Sequence, residues 1–124
     1  MFQKIRKNIE FLNVYRHGKS YANKYLVMYV LNNKLDENRF GITVSKKVGN
    51  SVVRHRITRL IRECIRLQES NILTEYDIVI VARKAAKDKK YQDIESAFLN
   101  LCKRQNILKL SLIHISEPTR RVVI

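Results

Sequence analysis

The sequence predicts an α/β (α+β) two-layer sandwich, in which helices pack over a single sheet. Short apolar runs rich in β-branched residues alternate along the chain with longer segments whose apolar residues recur at helical spacing. The 124 residues are enough for one domain with a single core. Because 45% of them are hydrophobic and only three are Gly and one is Pro, we expect a folded protein rather than a linker.

The first half of the chain predicts one helix and two strands. Residues 8–16 (NIEFLNVYR) place apolar side chains at helical spacing, and Gly18 is a suitable end for that helix. Residues 25–31 (YLVMYVL) form a nearly continuous apolar run that stops at a polar loop. Residues 39–45 (RFGITVS) alternate apolar and polar side chains. We therefore expect these two strands to form a hairpin with one buried face.

The second half predicts a helix, a strand and a final helix. An amphipathic helix begins at Ser51, and residues 76–82 (YDIVIVA) are typical of a buried strand. Residues 91–108 place apolar side chains on one side of a long helix. The strand at 39–45, the helix after it and the strand at 76–82 are a βαβ candidate, whose crossover would ordinarily be right-handed.

The domain is predicted to span residues 1–110. Residues 111–124 (SLIHISEPTRRVVI) hold the only Pro and lose the helical pattern, so they are a candidate foreign or disordered tail.

Cys64 and Cys102 match no metal or redox spacing, and we expect two core thiols in a reduced chain. The N-terminus lacks the apolar core of a secretory signal. These observations favour a cytoplasmic protein.

The charge balance points to a polyanionic partner. The chain has 25 Lys and Arg against 11 Asp and Glu, a formal net charge of +14. Such an excess on a small domain repels itself, which favours RNA, DNA or an acidic membrane surface as partner. The membrane is the weaker of these, since no apolar run approaches the roughly 18 residues of a span. A merely soluble basic domain is the plain alternative.

The segment KKVGNSVVRHRITRLIRE, from Lys46 to Glu63, carries most of this information. Between residues 39 and 66 there are eight Lys or Arg and one acid, so salt bridges along the helix cannot account for the pattern. At about 100° per residue, one side is an apolar stripe and nearly the opposite side is a cationic ridge of His55, Arg59, Arg62 and Arg66. A solvated face usually mixes both signs of charge. A ridge of one sign favours phosphate binding.

This segment, together with the preceding FGITVSKKVGNS, resembles the signature of the bacterial ribonuclease P protein component. In that family an arginine-rich "RNR" helix follows a GxxVSKKVGNAVxR-like approach. The segments EFLNVYRHGKSYAN, YLVMYVL and YDIVIVARKAA are similar to family segments in the same order, so the resemblance covers about residues 5–108.

The resemblance implies a fold of order αβββαβα with a left-handed βαβ crossover and an extra short strand near SYAN. It also implies a basic subunit of ribonuclease P that binds the catalytic RNA and the 5′ leader of precursor tRNA. The RNA would remove the leader with Mg²⁺, and no cofactor is expected on the protein alone.

Carried over by position, the RNA-subunit-binding residues are Lys46, Lys47, Asn50, Arg54, His55, Arg56, Arg59 and Arg62, to which the ridge geometry adds Arg66. The leader-binding aromatic residues would be Phe11, Tyr15 and Tyr29, since unpaired bases stack on aromatic faces. Core packing is the alternative for each aromatic residue. Two positions depart from the family pattern. His55 stands where the motif usually has Asn, and Thr58 where Lys is frequent, which leaves the role of His55 open.

Catalysis by the chain alone is not predicted. The sequence has no HExxH motif, no supported pair of carboxylates, no nucleophile with an evident base and no phosphate-binding loop. Two hypotheses therefore remain, namely the protein subunit of a ribonucleoprotein endonuclease and a noncatalytic RNA-binding or ribosome-associated protein.

Overall fold

A computed structural model of the protein describes residues 3–109. Five strands and three helices form one unit, joined in part by two short 3₁₀ turns. In chain order they are β1 (Gln3–Lys4), α1 (Asn8–His17), β2 (Lys19–Ala22), β3 (Leu26–Asn32), β4 (Arg39–Thr43), α2 (Ser51–Gln68), β5 (Tyr76–Ala82) and α3 (Tyr91–Arg104). The predicted tail at 111–124 lies outside the described residues.

The five strands form one mixed sheet in the order β1-β4-β5-β3-β2. The predicted hairpin of the strands at 25–31 and 39–45 is wrong, because β5 lies between β3 and β4. β5 pairs antiparallel with β3 and parallel with β4. Ile78, Val79 and Ile80 are all buried, as expected of a central strand covered on both faces. The predicted βαβ unit is confirmed, since α2 joins the parallel neighbours β4 and β5.

Two strands were not found from hydrophobic periodicity. β2, at the position that the family resemblance implied, pairs antiparallel with β3 and is mostly exposed, so it has no apolar run. β1 has two exposed residues, pairs with Arg39 and Phe40 of β4, and is too short to show any pattern.

The helices cover both faces of the sheet. The α/β class is confirmed, but α1 lies on the opposite face from α2 and α3. Alternate residues of β5 show this division, because Ile78 and Ile80 join the main core under α2 and α3, while Val79 packs with Val14 of α1. The α1 side therefore has a smaller core of its own.

The last helix is shorter than predicted. α3 ends at Arg104, and Asn106 has a positive φ of 59° that turns the chain away from the helix. Leu108, predicted on the helix, instead pairs with Ile72 in an isolated bridge and is buried. In the described part of the chain, no helix is both long and apolar enough to cross a bilayer.

The prediction of two core thiols is confirmed. Cys64 and Cys102 are free and buried. Burial raises the pKa of the Cys64 thiol to about 12 and also raises the pKa of Cys102. Neither thiol is a reactive thiolate near neutral pH.

Candidate nucleic-acid interface

The start of α2 is fixed by a cap. The Asn50 side-chain oxygen accepts a hydrogen bond from the Val53 backbone N–H at 3.0 Å. A Cβ added at Gly49 would lie 2.7 Å from the Val53 side chain, so the approach to this helix requires glycine. The first turn holds no acid. Asn50, predicted to contact RNA, therefore has its oxygen committed to the helix, while its NH₂ group remains available.

The two sides of α2 differ as predicted. Ile57, Ile61, Cys64 and Ile65 are buried against the sheet and α3, with Val53 and Leu60 partly buried beside them. The ridge residues His55, Arg59, Arg62 and Arg66 are all exposed. One helix thus contributes to the core with one face and presents cations with the other.

Three of the predicted cations already have partners within the fold. Arg54 donates to the Gly49 carbonyl at 3.1 Å, and Arg56 donates to the carbonyls of Lys87 and Lys89 at 3.3 and 2.7 Å. Arg66 forms a two-pronged ion pair with Glu63 at 3.0 and 2.5 Å. The hydrogen bond from Arg66 lowers the pKa of Glu63. The Arg56 contacts hold the loop before α3 against α2.

The remaining predicted cations have no such partners. Across residues 3–109, no hydrogen bond, ion pair or ring contact involves the side chains of Lys46, Lys47, His55, Arg59 or Arg62. His55 and Arg59 line an open depression together with Ser51, Val52 and Arg56. Val52, at 74% relative exposure, gives this depression an apolar element that the sequence prediction missed. The Thr58 hydroxyl donates a hydrogen bond to the Arg54 carbonyl at 2.9 Å, within the same helix.

The predicted aromatic residues come together on the other face of the sheet, in an arrangement that we call the aromatic cleft (Phe11, Tyr15 and Tyr29). The ring centroids of Phe11 and Tyr15 are 6.4 Å apart, and those of Tyr15 and Tyr29 are 4.9 Å apart in a T-shaped arrangement. The Tyr15 hydroxyl lies 3.1 Å from the Thr43 hydroxyl. All three rings are half-buried. They can therefore contribute to packing and still present ring faces to a ligand.

An open cavity of about 440 Å³ lies at this cleft, lined by Asn8, Phe11, Leu12, Tyr15 and Thr43. Leu12 is a large apolar side chain, yet it is 48% exposed and is not part of the small core under α1. Sequence reasoning placed Leu12 in the apolar pattern of α1 and missed its position at the cleft. Thr43 gave no signal, because its neighbours come from a helix 28 residues earlier.

Glycine allows Phe11 to sit where it does. A Cβ added at Gly41 would lie 2.6 Å from the Phe11 ring and 3.4 Å from Ile5. The ring therefore lies directly on the backbone of β4. Core packing, the alternative for Phe11, does not account for the whole residue, since Phe11 also lines the cavity.

An ion-pair clamp holds α1 on the sheet. The Arg39 guanidinium binds both oxygens of Asp77 at 2.8 and 2.6 Å and one oxygen of Glu10 at 2.9 Å. These contacts raise the pKa of Arg39, with the Asp77 hydrogen bond as the largest cause. The pKa of Glu10 is lowered, chiefly by the backbone N–H groups of Lys7 and Arg6 and further by Arg39. The clamp joins α1, β4 and β5 immediately beside the aromatic cleft.

A family model described as Ribonuclease P matches residues 2–106. The chain belongs to the ribonuclease P protein family. The ribonuclease P protein component of Lachnoclostridium phytofermentans is 55% identical over 120 residues, which cover 97% of this chain and 99% of that protein. The component of Clostridium novyi is 58% identical over 107 residues, or 85% of this chain and 95% of that protein. The Staphylococcus aureus RNase P protein structure matches with a TM-score of 0.81 at 38% identity, covering 88% of this chain and all of that one.

Family membership confirms the resemblance found in the sequence. It places this ribonuclease P protein in a tRNA-processing ribonucleoprotein nuclease. Among the described residues there is no group of three or more His, Cys, Asp or Glu side chains that could hold a metal ion. The expectation of Mg²⁺ concerns the RNA-containing holoenzyme.

Proposed function

We propose that this chain is the protein subunit of a bacterial, cytoplasmic ribonuclease P. It binds the catalytic RNA through the exposed cations of α2 and its approach, and it binds the 5′ leader of precursor tRNA in the aromatic cleft. The RNA subunit carries the Mg²⁺-dependent hydrolysis that removes the leader. The protein supplies binding and orientation.

One observation carries the proposal: a helix with an apolar side in the core presents cations on its other side, and among the described residues Arg59 and Arg62 have no acidic partner. Arg59 is exposed and has no ion-pair partner among residues 3–109, and the first turn of α2 contains no acid. Holding like charges together is unfavourable in the free protein, so an external polyanion explains the arrangement. The backbone N–H groups at the start of α2 add to the attraction for phosphate.

The aromatic cleft supports the leader assignment. A single strand offers unpaired bases, and each base stacked on an aromatic ring contributes about 1 to 3 kcal/mol without requiring a particular sequence. Half-buried rings fixed by their neighbours lose little freedom when a base is added. Tyr15 is fixed in this way, because Tyr29 contacts its ring and Thr43 its hydroxyl.

Reconstitution tests the proposal. The purified chain is added to bacterial ribonuclease P RNA at low Mg²⁺, and leader removal from precursor tRNA is measured. Stimulation of cleavage is expected, because cations and leader contacts from the protein compensate for scarce Mg²⁺. If the chain binds the RNA tightly without stimulating cleavage, the noncatalytic RNA-binding or ribosome-associated role is favoured instead.

A further inference from the structure

A second, smaller cavity lies between α2 and the aromatic cleft, at the exposed edge of the sheet. Its volume is about 170 Å³, and its lining includes Lys4, Phe11, Gly41, Ile42, Thr58 and Arg62. We call it the edge pocket. It is smaller than the roughly 300 Å³ at the low end of small-molecule sites, so it suits a small group such as a phosphate.

The edge pocket exists because β1 is short. β1 pairs with β4 only at Arg39 and Phe40, and the Ile5 N–H then bonds to the Phe40 carbonyl at 2.9 Å. β4 continues to Thr43, so its last residues lie at an edge that no described strand covers. The gap lies between the first residues of the domain on one side and α2 on the other.

Two cations from different elements flank this gap. Lys4 comes from β1 and Arg62 from the middle of α2, and the pocket lining contains no acid. Neither side chain has a hydrogen bond or ion pair with any residue that the structure describes. Two cations converging on one small pocket without a counter-charge match the chemistry of a phosphate.

The edge pocket adjoins the aromatic cleft. Phe11 is the residue that lines both cavities. A nucleic acid strand whose bases stack in the cleft carries a phosphate at every nucleotide. A strand that continues past Phe11 toward α2 therefore passes between Lys4 and Arg62.

We propose that the edge pocket binds a phosphodiester of the precursor tRNA leader, with Lys4 and Arg62 as its ligands. This inference rests on the proposed leader cleft and extends it by one site. Arg62 then contacts the substrate, whereas Arg59, on the same helix, faces the RNA subunit. Lys4 becomes a leader-binding residue that the signature motif does not contain.

The test compares Arg62→Ala with Arg59→Ala, which removes the same charge from the same helix. Each variant is assembled with ribonuclease P RNA at saturating concentrations, and Kd is measured for precursor tRNA and for mature tRNA. Arg62→Ala should raise the Kd for precursor tRNA about tenfold and leave the Kd for mature tRNA unchanged. The leader-dependent part of the salt slope should fall by about 0.7, the value for one single-strand phosphate. Arg59→Ala should leave the difference between the two substrates unchanged.

A second measurement locates the phosphate. Neutral methylphosphonate linkages are placed one at a time along the leader. For the wild type, a neutral linkage at one position should lower the affinity for precursor tRNA about tenfold. For Arg62→Ala and Lys4→Ala, the neutral linkage at that same position should cause a smaller further loss of affinity. Thermal unfolding verifies that both exposed substitutions leave the fold intact.

Three outcomes separate the possibilities. A loss of affinity for precursor tRNA alone in Arg62→Ala, with no such loss in Arg59→Ala, supports the edge pocket. If Arg62→Ala loses affinity equally for precursor and mature tRNA, while Tyr15→Ala and Tyr29→Ala lose affinity for precursor tRNA alone, the edge pocket is overturned and the leader cleft is not. Equal losses in all four variants overturn the leader cleft as well.

Discussion

Arginines on the two faces of the sheet have opposite surroundings. On the α1 face, Arg39 lies 2.6 Å from Asp77 and 2.9 Å from Glu10. On the α2 face, Arg59 and Arg62 are exposed and have no acid or carbonyl partner in residues 3–109. The same guanidinium group stabilises the fold where carboxylates surround it and is available to an external anion where they do not. Partners within the fold, rather than residue type, therefore separate the structural arginine from those that we propose to bind RNA.

The largest effect should come from breaking the clamp. Arg39→Ala would leave the Asp77 carboxylate, whose side chain is 4% exposed, without its main counter-charge. We expect the free energy of unfolding to fall by about 3 to 5 kcal/mol, measured by urea denaturation. Adding Asp77→Asn should restore part of the loss, because no buried charge remains. A loss within about 0.5 kcal/mol, typical of a surface substitution, would contradict the comparison.

The next effect concerns the aromatic cleft beside that clamp. Tyr15→Ala and Tyr29→Ala should each weaken binding of leader-bearing precursor tRNA by about 1 to 3 kcal/mol, the contribution of one stacked base. Mature tRNA should bind as before, measured with the assembled holoenzyme. Tyr15→Phe is the matched control, since it keeps the ring and removes only the hydroxyl that contacts Thr43. Equal weakening of both substrates would refute the leader assignment.

The third prediction uses two arginines of one helix. Arg59 has no acidic partner among the described residues, whereas Arg66 is paired with Glu63. Arg59→Ala should lower affinity for the RNA subunit about tenfold and reduce the salt slope by about 1. Arg66→Ala should have a smaller effect, because the ion pair with Glu63 already makes Arg66 less available to phosphate. Both substitutions should leave stability within about 0.5 kcal/mol. Identical salt slopes for the two variants would show that the internal ion pair does not decide RNA contact.

The sequence predicted α2 well because its information is local. The apolar and cationic sides follow from helical spacing, and the structure buries Ile57 and exposes Arg59 accordingly. The sheet order was not predictable in the same way. β3 and β4 are close in sequence, yet β5 lies between them, and only the burial of β5 on both faces explains its central place.

Sites built from distant segments were also missed. Lys4 and Arg62 line one pocket although 57 residues separate them in the sequence. Arg39, Glu10 and Asp77 show no shared motif. By contrast, the cap at Asn50 did have a local signal, because Asn immediately before a helix is a favoured N-cap residue. The sequence prediction assigned Asn50 to RNA binding and did not consider the capping role.

The smallest effect separates these two roles of Asn50. Asn50→Ala removes the bond to Val53 and should cost about 1 kcal/mol of unfolding free energy. Asn50→Asp keeps a capping oxygen and adds a negative charge where the helix dipole favours one, so stability should hold or rise by about 0.5 kcal/mol. The same charge would repel RNA phosphates and lower affinity for the RNA subunit. A more stable protein that binds RNA less well would explain why α2 begins without an acid, whereas unchanged RNA affinity would place Asn50 outside the interface.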